Sequence, residues 1–180
     1  MRNLFRHKLR PQPKPPSPGH HPGHHPGHHP HHPPTPMPLP PPPPNHYKDH
    51  GRHPYVVNIA QETAGNKNYR TTLWTGAHLQ VTLMCIPPGT DIGLEIHPDT
   101  DQFLRIEAGQ GLVQMGKEKN NLSFRQVAME DFAILVPAGT WHNITNLGST
   151  PLKLYSIYAP PHHKPGTVHA TKAIAEAMEG

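Results

Sequence analysis

The chain has 180 residues, with 26 prolines, 18 histidines, 16 Lys/Arg against 12 Asp/Glu and one cysteine. A single cysteine excludes a disulfide framework within the chain, and no stretch approaches the roughly eighteen apolar residues of a membrane span. The opening MRNLFRHKLRP carries charge without the apolar run of a signal peptide, so a cytoplasmic protein is the expectation.

Charge and composition divide the chain at one place. Residues 1–53 carry seven basic side chains and one acid, Asp49, whereas residues 54–180 carry nine basic and eleven acidic side chains. The basic balance therefore belongs to the N-terminal part. The remainder has no basic stripe interleaved with aromatics, and no nucleic-acid partner is expected.

Between Pro11 and Pro44, 17 of 34 positions are proline, and the only other non-polar side chains are Met37 and Leu39. Proline removes backbone donors and fixes φ, which predicts an extended, disordered His/Pro-rich tail over residues 1–53. Its GHHPGHHPGHHPHH run at residues 19–32 pairs imidazoles with little between them. Such a run can wrap around Ni²⁺, Cu²⁺ or Zn²⁺, bind a partner surface, or serve as a low-complexity spacer. PLPPPPPN at 38–45 reads as a semi-rigid spacer.

Residues 54–180 are the foldable domain, and short β-prone runs separated by Gly/Pro/Asn turns predict an all-β sandwich or barrel. PYVVNIAQETAGNKNYR, residues 54–70, begins with a β-prone run suited to pairing with a partner subunit, so a homodimer is expected. YRTTLWTG is followed by HLQVTLMCI, where Leu79, Val81, Leu83 and Cys85 share one face and Cys85 reads as a buried thiol. His78 then falls in phase with Gln80, Thr82, Met84 and Ile86, either as a pocket residue or as a half-exposed strand histidine. LEIH, the turn PDTD and QFLRIEAG follow, then GLVQMG, NLSFRQVAM, DFAILVP, WHNITN and LKLYSIYAP. VHATKAIAEAME, rich in Ala, Lys and Glu, is the one substantial helix expected.

Alternation assigns directions to the polar residues. Glu95 and His97 are two apart and face one side of a strand. Gln102, Leu104 and Ile106 share a face opposite Phe103, Arg105 and Glu107, and His142 shares its face with Ile144. If Glu95, His97, Gln102 and His142 all point inward, the interior is apolar except for one polar ring. A buried carboxylate there needs compensation, which a metal ion provides.

The two segments carrying these residues resemble the two motifs of the cupin superfamily. Motif one there is glycine, His-x-His, glutamate and glycine; here it runs from Gly89 through TDIGL to Glu95, Ile96 and His97, then PDTD, Gln102, FLRIEA and Gly109. Motif two runs from Asp131 through FAILV to Pro137, Ala138 and Gly139, then TW, His142, NIT and Asn146. The resemblance, to small single-domain bacterial cupins often labelled mannose-6-phosphate-isomerase-like, implies a cupin β-barrel of double-stranded β-helix (jelly-roll) type with a short C-terminal helix. It implies metal ligands at Glu95, His97, Gln102 and His142.

Three positions depart from the pattern: Glu95 replaces the usual first histidine, Gln102 the glutamate, and Asp131 the glycine that opens motif two. The formal charge of the ring is unchanged, because the carboxylate has moved within it. Gln102 offers an amide oxygen, either as ligand or as a hydrogen-bonding partner of bound water. Nitrogen and oxygen donors of this kind suit Mn²⁺, Fe²⁺, Ni²⁺, Co²⁺ or Zn²⁺.

Several nearby groups are assigned elsewhere. Asp99 and Asp101 read as turn residues, His162, His163 and His169 as fixing the crossover to the last helix or a subunit contact, and Trp141 as packing or interface surface. Tyr155 and Tyr158 cannot both face inward. No phosphate-binding cluster accompanies the site, and Arg105 points away from it. The functional expectation is a divalent-metal-binding protein, a small-molecule metalloenzyme (dioxygenase, sugar isomerase or lyase) with Glu95 as ligand or general base. The alternative is a non-enzymatic metal-binding, ligand-binding or coat-like protein using its histidine-rich tail.

Overall fold

A computed structural model describes residues 48–179, the Glu179 side chain excepted. The expected disorder and metal binding of the GHHP repeat lie outside the described residues. In chain order the elements are α1 (Ile59–Gly65), β1 (Arg70–Thr75), β2 (Gln80–Ile86), β3 (Asp101–Ala108), β4 (Gln110–Gly116), β5 (Phe124–Met129), β6 (Ala133–Val136), β7 (Trp141–Asn146), β8 (Leu152–Ala159), β9 (Val168–His169) and α2 (Lys172–Glu179). They form two antiparallel sheets, ordered β6-β3-β8-β2-β1-β9 and β5-β4-β7. This is the all-β double-stranded β-helix with a short C-terminal helix that the strand pattern and the motifs predicted.

Register explains how one interior serves both packing and chemistry. On β2 and β8 the inward pairs are Gln80 with Tyr158, Thr82 with Ser156, Met84 with Leu154 and Ile86 with Leu152. On β3, Gln102 pairs with Tyr158, Leu104 with Ser156 and Ile106 with Leu154. One end of the barrel is therefore a row of Gln, Tyr and Gln, and the other is a plug of Met84, Ile86, Ile106, Leu152 and Leu154, all 0–1% exposed. Each buried aliphatic side chain contributes about 1.5–3 kcal/mol, so the plug stabilises the fold while the polar end remains free to hold a site.

Several sequence expectations are corrected. Residues 54–58 form no strand, and Ile59–Gly65 is a second short helix, so the strand proposed for pairing with a partner is not formed. Its start is fixed by Asn58, whose side-chain oxygen accepts from Gln61 N at 3.1 Å, a local cap that outcompetes the short β-prone run before it. The terminal helix begins only at Lys172, because Val168 and His169 pair with Thr71 and Arg70 as β9.

The buried face of β2 is Gln80, Thr82, Met84 and Ile86, with Leu83 also buried; Leu79 is exposed and Cys85 half-buried. Leu83 lies on the opposite face of the strand and is buried as well. His78 lies in the exposed turn before β2 and is not a pocket residue.

The LEIH strand is replaced by an irregular segment. Residues 91–95 run beside β7 through isolated bridges, Asp91 to Thr145 and Glu95 to His142. Gly93, at φ +84°, interrupts the ladder between them. Asp91 holds the segment in place by accepting from Gly93 N at 3.1 Å, from Asn143 Nδ2 at 3.0 Å and from the Lys172 ammonium of α2.

The boundary at 53/54 also moves. Residues 48–53 belong to the folded part, since His50 N donates to Leu73 O and Trp74 Nε1 donates to His53 O, both at 2.9 Å. Asp49 is the anchor of this segment. Its carboxylate accepts from Gly51 N, Thr75 N, Thr75 Oγ1 and Gly166 N at 2.6–3.0 Å. Burial works against its ionisation, but these donors outweigh it and hold the carboxyl below its ordinary 3.8.

Asp49→Ala is expected to lower the unfolding free energy by about 2 kcal/mol at neutral pH, several charge-assisted hydrogen bonds being lost. Because the folded-state pKa is depressed, this contribution is complete above pH 3.8 and disappears as pH falls below it. Urea unfolding of the variant and the parent at pH 7 and pH 3 checks both statements; a gap between them that is unchanged at pH 3 contradicts the second.

Candidate metal centre

Backbone pairing brings the first two groups together. Glu95 N donates to His142 O at 3.1 Å and His142 N donates to Glu95 O at 2.9 Å. Residues that exchange both bonds in an antiparallel pair project side chains on the same side. His97 follows by alternation, and its carbonyl accepts from Gly139 N at 2.9 Å. Gly139 adopts φ +73° in the Pro-Ala-Gly turn, a conformation that costs a Cβ-bearing residue energy. Asp101 Oδ1 accepts from Ala138 N at 2.8 Å, tying that turn to the start of β3.

The result is a trio with one ligand atom from each member. Glu95 Oε1 lies 3.3 Å from His97 Nε2 and 3.4 Å from His142 Nε2, with side chains 24%, 3% and 1% exposed. The His142 Nδ1 is 2.9 Å from Thr140 O. A carbonyl only accepts, so Nδ1 carries a proton, and in the neutral ring Nε2 presents a lone pair toward Glu95. Neither His142 Nε2 nor either nitrogen of His97 has a hydrogen-bond partner among the described residues. Burial opposes ionisation of Glu95, yet the adjacent His142 and His97 rings hold its carboxyl far below the usual range.

A carboxylate facing two imidazole lone pairs in a buried site is unfavourable unless something positive stands between them. The separations fit a metal ion. Two donor atoms each about 2.1 Å from one ion lie about 3.0 Å apart at a right angle and about 3.4 Å apart at the tetrahedral angle. The hydrogen bond from His142 Nδ1 to a carbonyl is the orienting contact that metal-bound histidines make.

The fourth expected group, Gln102, is buried on β3 opposite Tyr158. Its Nε2 donates to Ser156 Oγ at 2.8 Å, leaving a buried Oε1 without a hydrogen-bond partner among the described residues. The amide is therefore oriented with its acceptor unused, as either a ligand or a partner of bound water requires.

The remaining candidates sort clearly. Tyr158 is the inward tyrosine, 0% exposed, with its ring 5.5 Å from that of His97; Tyr155 packs against Phe103 instead. Arg105 is engaged by Glu107 and Asp131, away from the trio. Asp131 takes φ +70°, which explains why glycine is usual at the start of motif two. Asp99 is an exposed turn residue.

His162 differs from expectation. Its ring centroid is 4.1 Å from that of His97, so it borders the site rather than only fixing a crossover. Sequence reasoning also missed Gln80, which holds the backbone of His162 and His163. Its signal was its phase with Thr82, Met84 and Ile86, a polar residue at the end of a core-facing row.

A two-sheet antiparallel jelly roll with a His/Glu cluster at its polar end defines a cupin, and the chain belongs to that family: residues 82–158 match the family model described as Cupin domain. It is 63% identical over 132 residues to the uncharacterized protein YrkC of Bacillus subtilis (strain 168), covering 73% of this chain and 71% of that one. Identity to the uncharacterized protein L612 of Acanthamoeba polyphaga mimivirus is 46% over 115 residues, 63% of this chain and 70% of that one. Among solved structures, BH2720 from Bacillus halodurans is 65% identical with a TM-score of 0.72, matching 72% of this chain and 98% of its own. The match takes in nearly all of that protein and about three quarters of this chain.

No helix of the described residues is long and apolar enough to cross a membrane.

For residues 48–180, saturating Zn²⁺ or Mn²⁺ is expected to raise the melting temperature, by the equivalent of about 2.7 kcal/mol at a concentration a hundredfold above Kd. His142→Ala is expected to remove that rise. Scanning calorimetry with and without metal reads both; an equal rise in the variant would place the stabilising ion elsewhere.

Proposed function

We propose that this cupin is a divalent-metal-binding protein whose barrel site holds the ion through Glu95, His97 and His142, with Gln102 as a fourth group, and presents it to a small molecule. The supporting observation is the Glu95 carboxylate set 3.3 and 3.4 Å from two buried imidazole nitrogens that have no other partner among the described residues. Donors of this type suit Mn²⁺, Fe²⁺, Ni²⁺, Co²⁺ or Zn²⁺. Glu95 serves here as a ligand rather than a detached general base, because its Oε1 is shared between the two histidines.

When bound, the ion supplies Lewis-acid polarisation of a substrate oxygen or, if redox-active, dioxygen chemistry. The chain's own residues bind and orient. His142 is fixed by Thr140 O, the Gln102 amide by Ser156, and Tyr158 closes the interior behind His97. Arg105 is committed to Glu107 and Asp131, so it offers no phosphate anchor at the site, which disfavours sugar-phosphate isomerisation.

A second reading, metal carriage without turnover, is favoured by the twelve histidines among residues 1–53. Chelator competition separates the two, because a carrier releases the barrel ion readily and a resident cofactor stays bound.

Elemental analysis of residues 48–180 after metal loading and desalting is expected to find about one divalent ion per chain. Less than about 0.1 per chain would rule out the metal-site reading. Removing the N-terminal segment first is necessary, since paired histidines of that kind can bind metal independently of the barrel.

A further inference from the structure

His97 poses a problem that the metal site alone does not solve. A metal-bound histidine ordinarily donates its second ring nitrogen to a carbonyl or carboxylate, which sets the ring plane. His142 has such a contact with Thr140 O. His97 does not: its Nδ1 is buried with no hydrogen-bond partner among the described residues. Its orientation must come from packing. The rings against it are His162 at 4.1 Å, His142 at 5.2 Å and Tyr158 at 5.5 Å between centroids.

His162 is an exposed residue after the last long strand, on a segment with no ladder of its own. What fixes it is Gln80. That amide is 0% exposed and uses its whole hydrogen-bonding capacity. Oε1 accepts from His162 N at 3.2 Å and from His163 N at 2.9 Å, while Nε2 donates to His163 O at 2.8 Å and to Thr75 Oγ1 at 3.0 Å. Three of the four bonds hold the backbone of two consecutive histidines. The fourth ties the amide to Thr75, whose hydroxyl donates to Asp49 at 2.6 Å; Asp49 in turn accepts from Gly166 N of the same loop at 2.9 Å.

We propose that Gln80 is a positioning residue for the metal centre. It clamps the loop at 162–163 so that the His162 ring lies against His97 and sets the angle of that ligand, replacing the hydrogen bond that His97 lacks. The proposal rests on the metal-binding function given above. Gln80 and His162 act through His97 and need not touch the ion.

The test uses the full chain with Co²⁺ as the probe, read by visible absorption and by titrated affinity. Spectra of the His142→Ala full chain are subtracted to remove ions held by the N-terminal histidines. Wild type and His142→Ala binding the same amount of Co²⁺ with the same spectrum would sink the metal-site reading, and this proposal with it. Otherwise, Gln80→Leu and His162→Ala are each expected to weaken the barrel site about ten- to a hundredfold and to change the shape of its spectrum. His162→Phe, which keeps a ring in place, is expected to bind within about threefold of wild type.

Wild-type affinity and spectrum in a folded Gln80→Leu overturn the proposal while leaving the metal site intact. If Gln80→Leu does not fold, His162→Ala decides, because its side chain is exposed and its loss spares the core. His162→Phe as weak as His162→Ala also overturns the proposal, since the nitrogen rather than the ring would then be what matters.

Discussion

The polar end of this barrel depends on one antiparallel bridge, the pair of backbone hydrogen bonds between Glu95 and His142. It places a carboxylate and an imidazole side by side, and alternation brings the second imidazole to the same oxygen. The arrangement is unfavourable as a purely structural feature, because two buried imidazole Nε2 atoms face one carboxylate with no other partner among the described residues. A positive charge between them would compensate it. The rest of the fold is consistent with that need, because the aliphatic plug at the far end carries the packing and leaves the Gln80–Tyr158–Gln102 row free of it.

The carboxylate's place has structural consequences. Where the cupin pattern has glutamate on the strand after the turn, this chain has Gln102, whose amide is oriented by Ser156 and needs no counter-charge. The carboxylate stands instead on the irregular segment beside β7. That segment is pinned by Asp91 and its three donors rather than by a full ladder. Glu95 therefore sits on an element bridged to the strand that carries His142.

Local patterning made much of this legible. Period-two alternation put Glu95 beside His97, aligned Gln102 with Leu104 and Ile106, and aligned His142 with Ile144; the structure preserves each of these relations. Motif spacing placed the two segments on one site. What escaped was set by contacts distant in sequence. Gln80 meets His162 and His163 across 82 and 83 positions, and Asp49 meets Gly166 across 117, so neither leaves a periodic trace. Composition assigned residues 48–53 to the proline-rich tail, although a few hydrogen bonds to Thr75 and Leu73 were enough to fold them in. At residues 54–65 a single cap at Asn58 outweighed the β-propensity of Tyr55, Val56 and Val57.

The most direct test of the central claim is anomalous diffraction from crystals of residues 48–180 grown with Mn²⁺ or Zn²⁺. The account predicts one anomalous peak within about 2.0–2.3 Å of Glu95 Oε1, His97 Nε2 and His142 Nε2 together. A metal-replete crystal with no peak between these three atoms, and with Glu95 bonded directly to a protonated histidine, would contradict it.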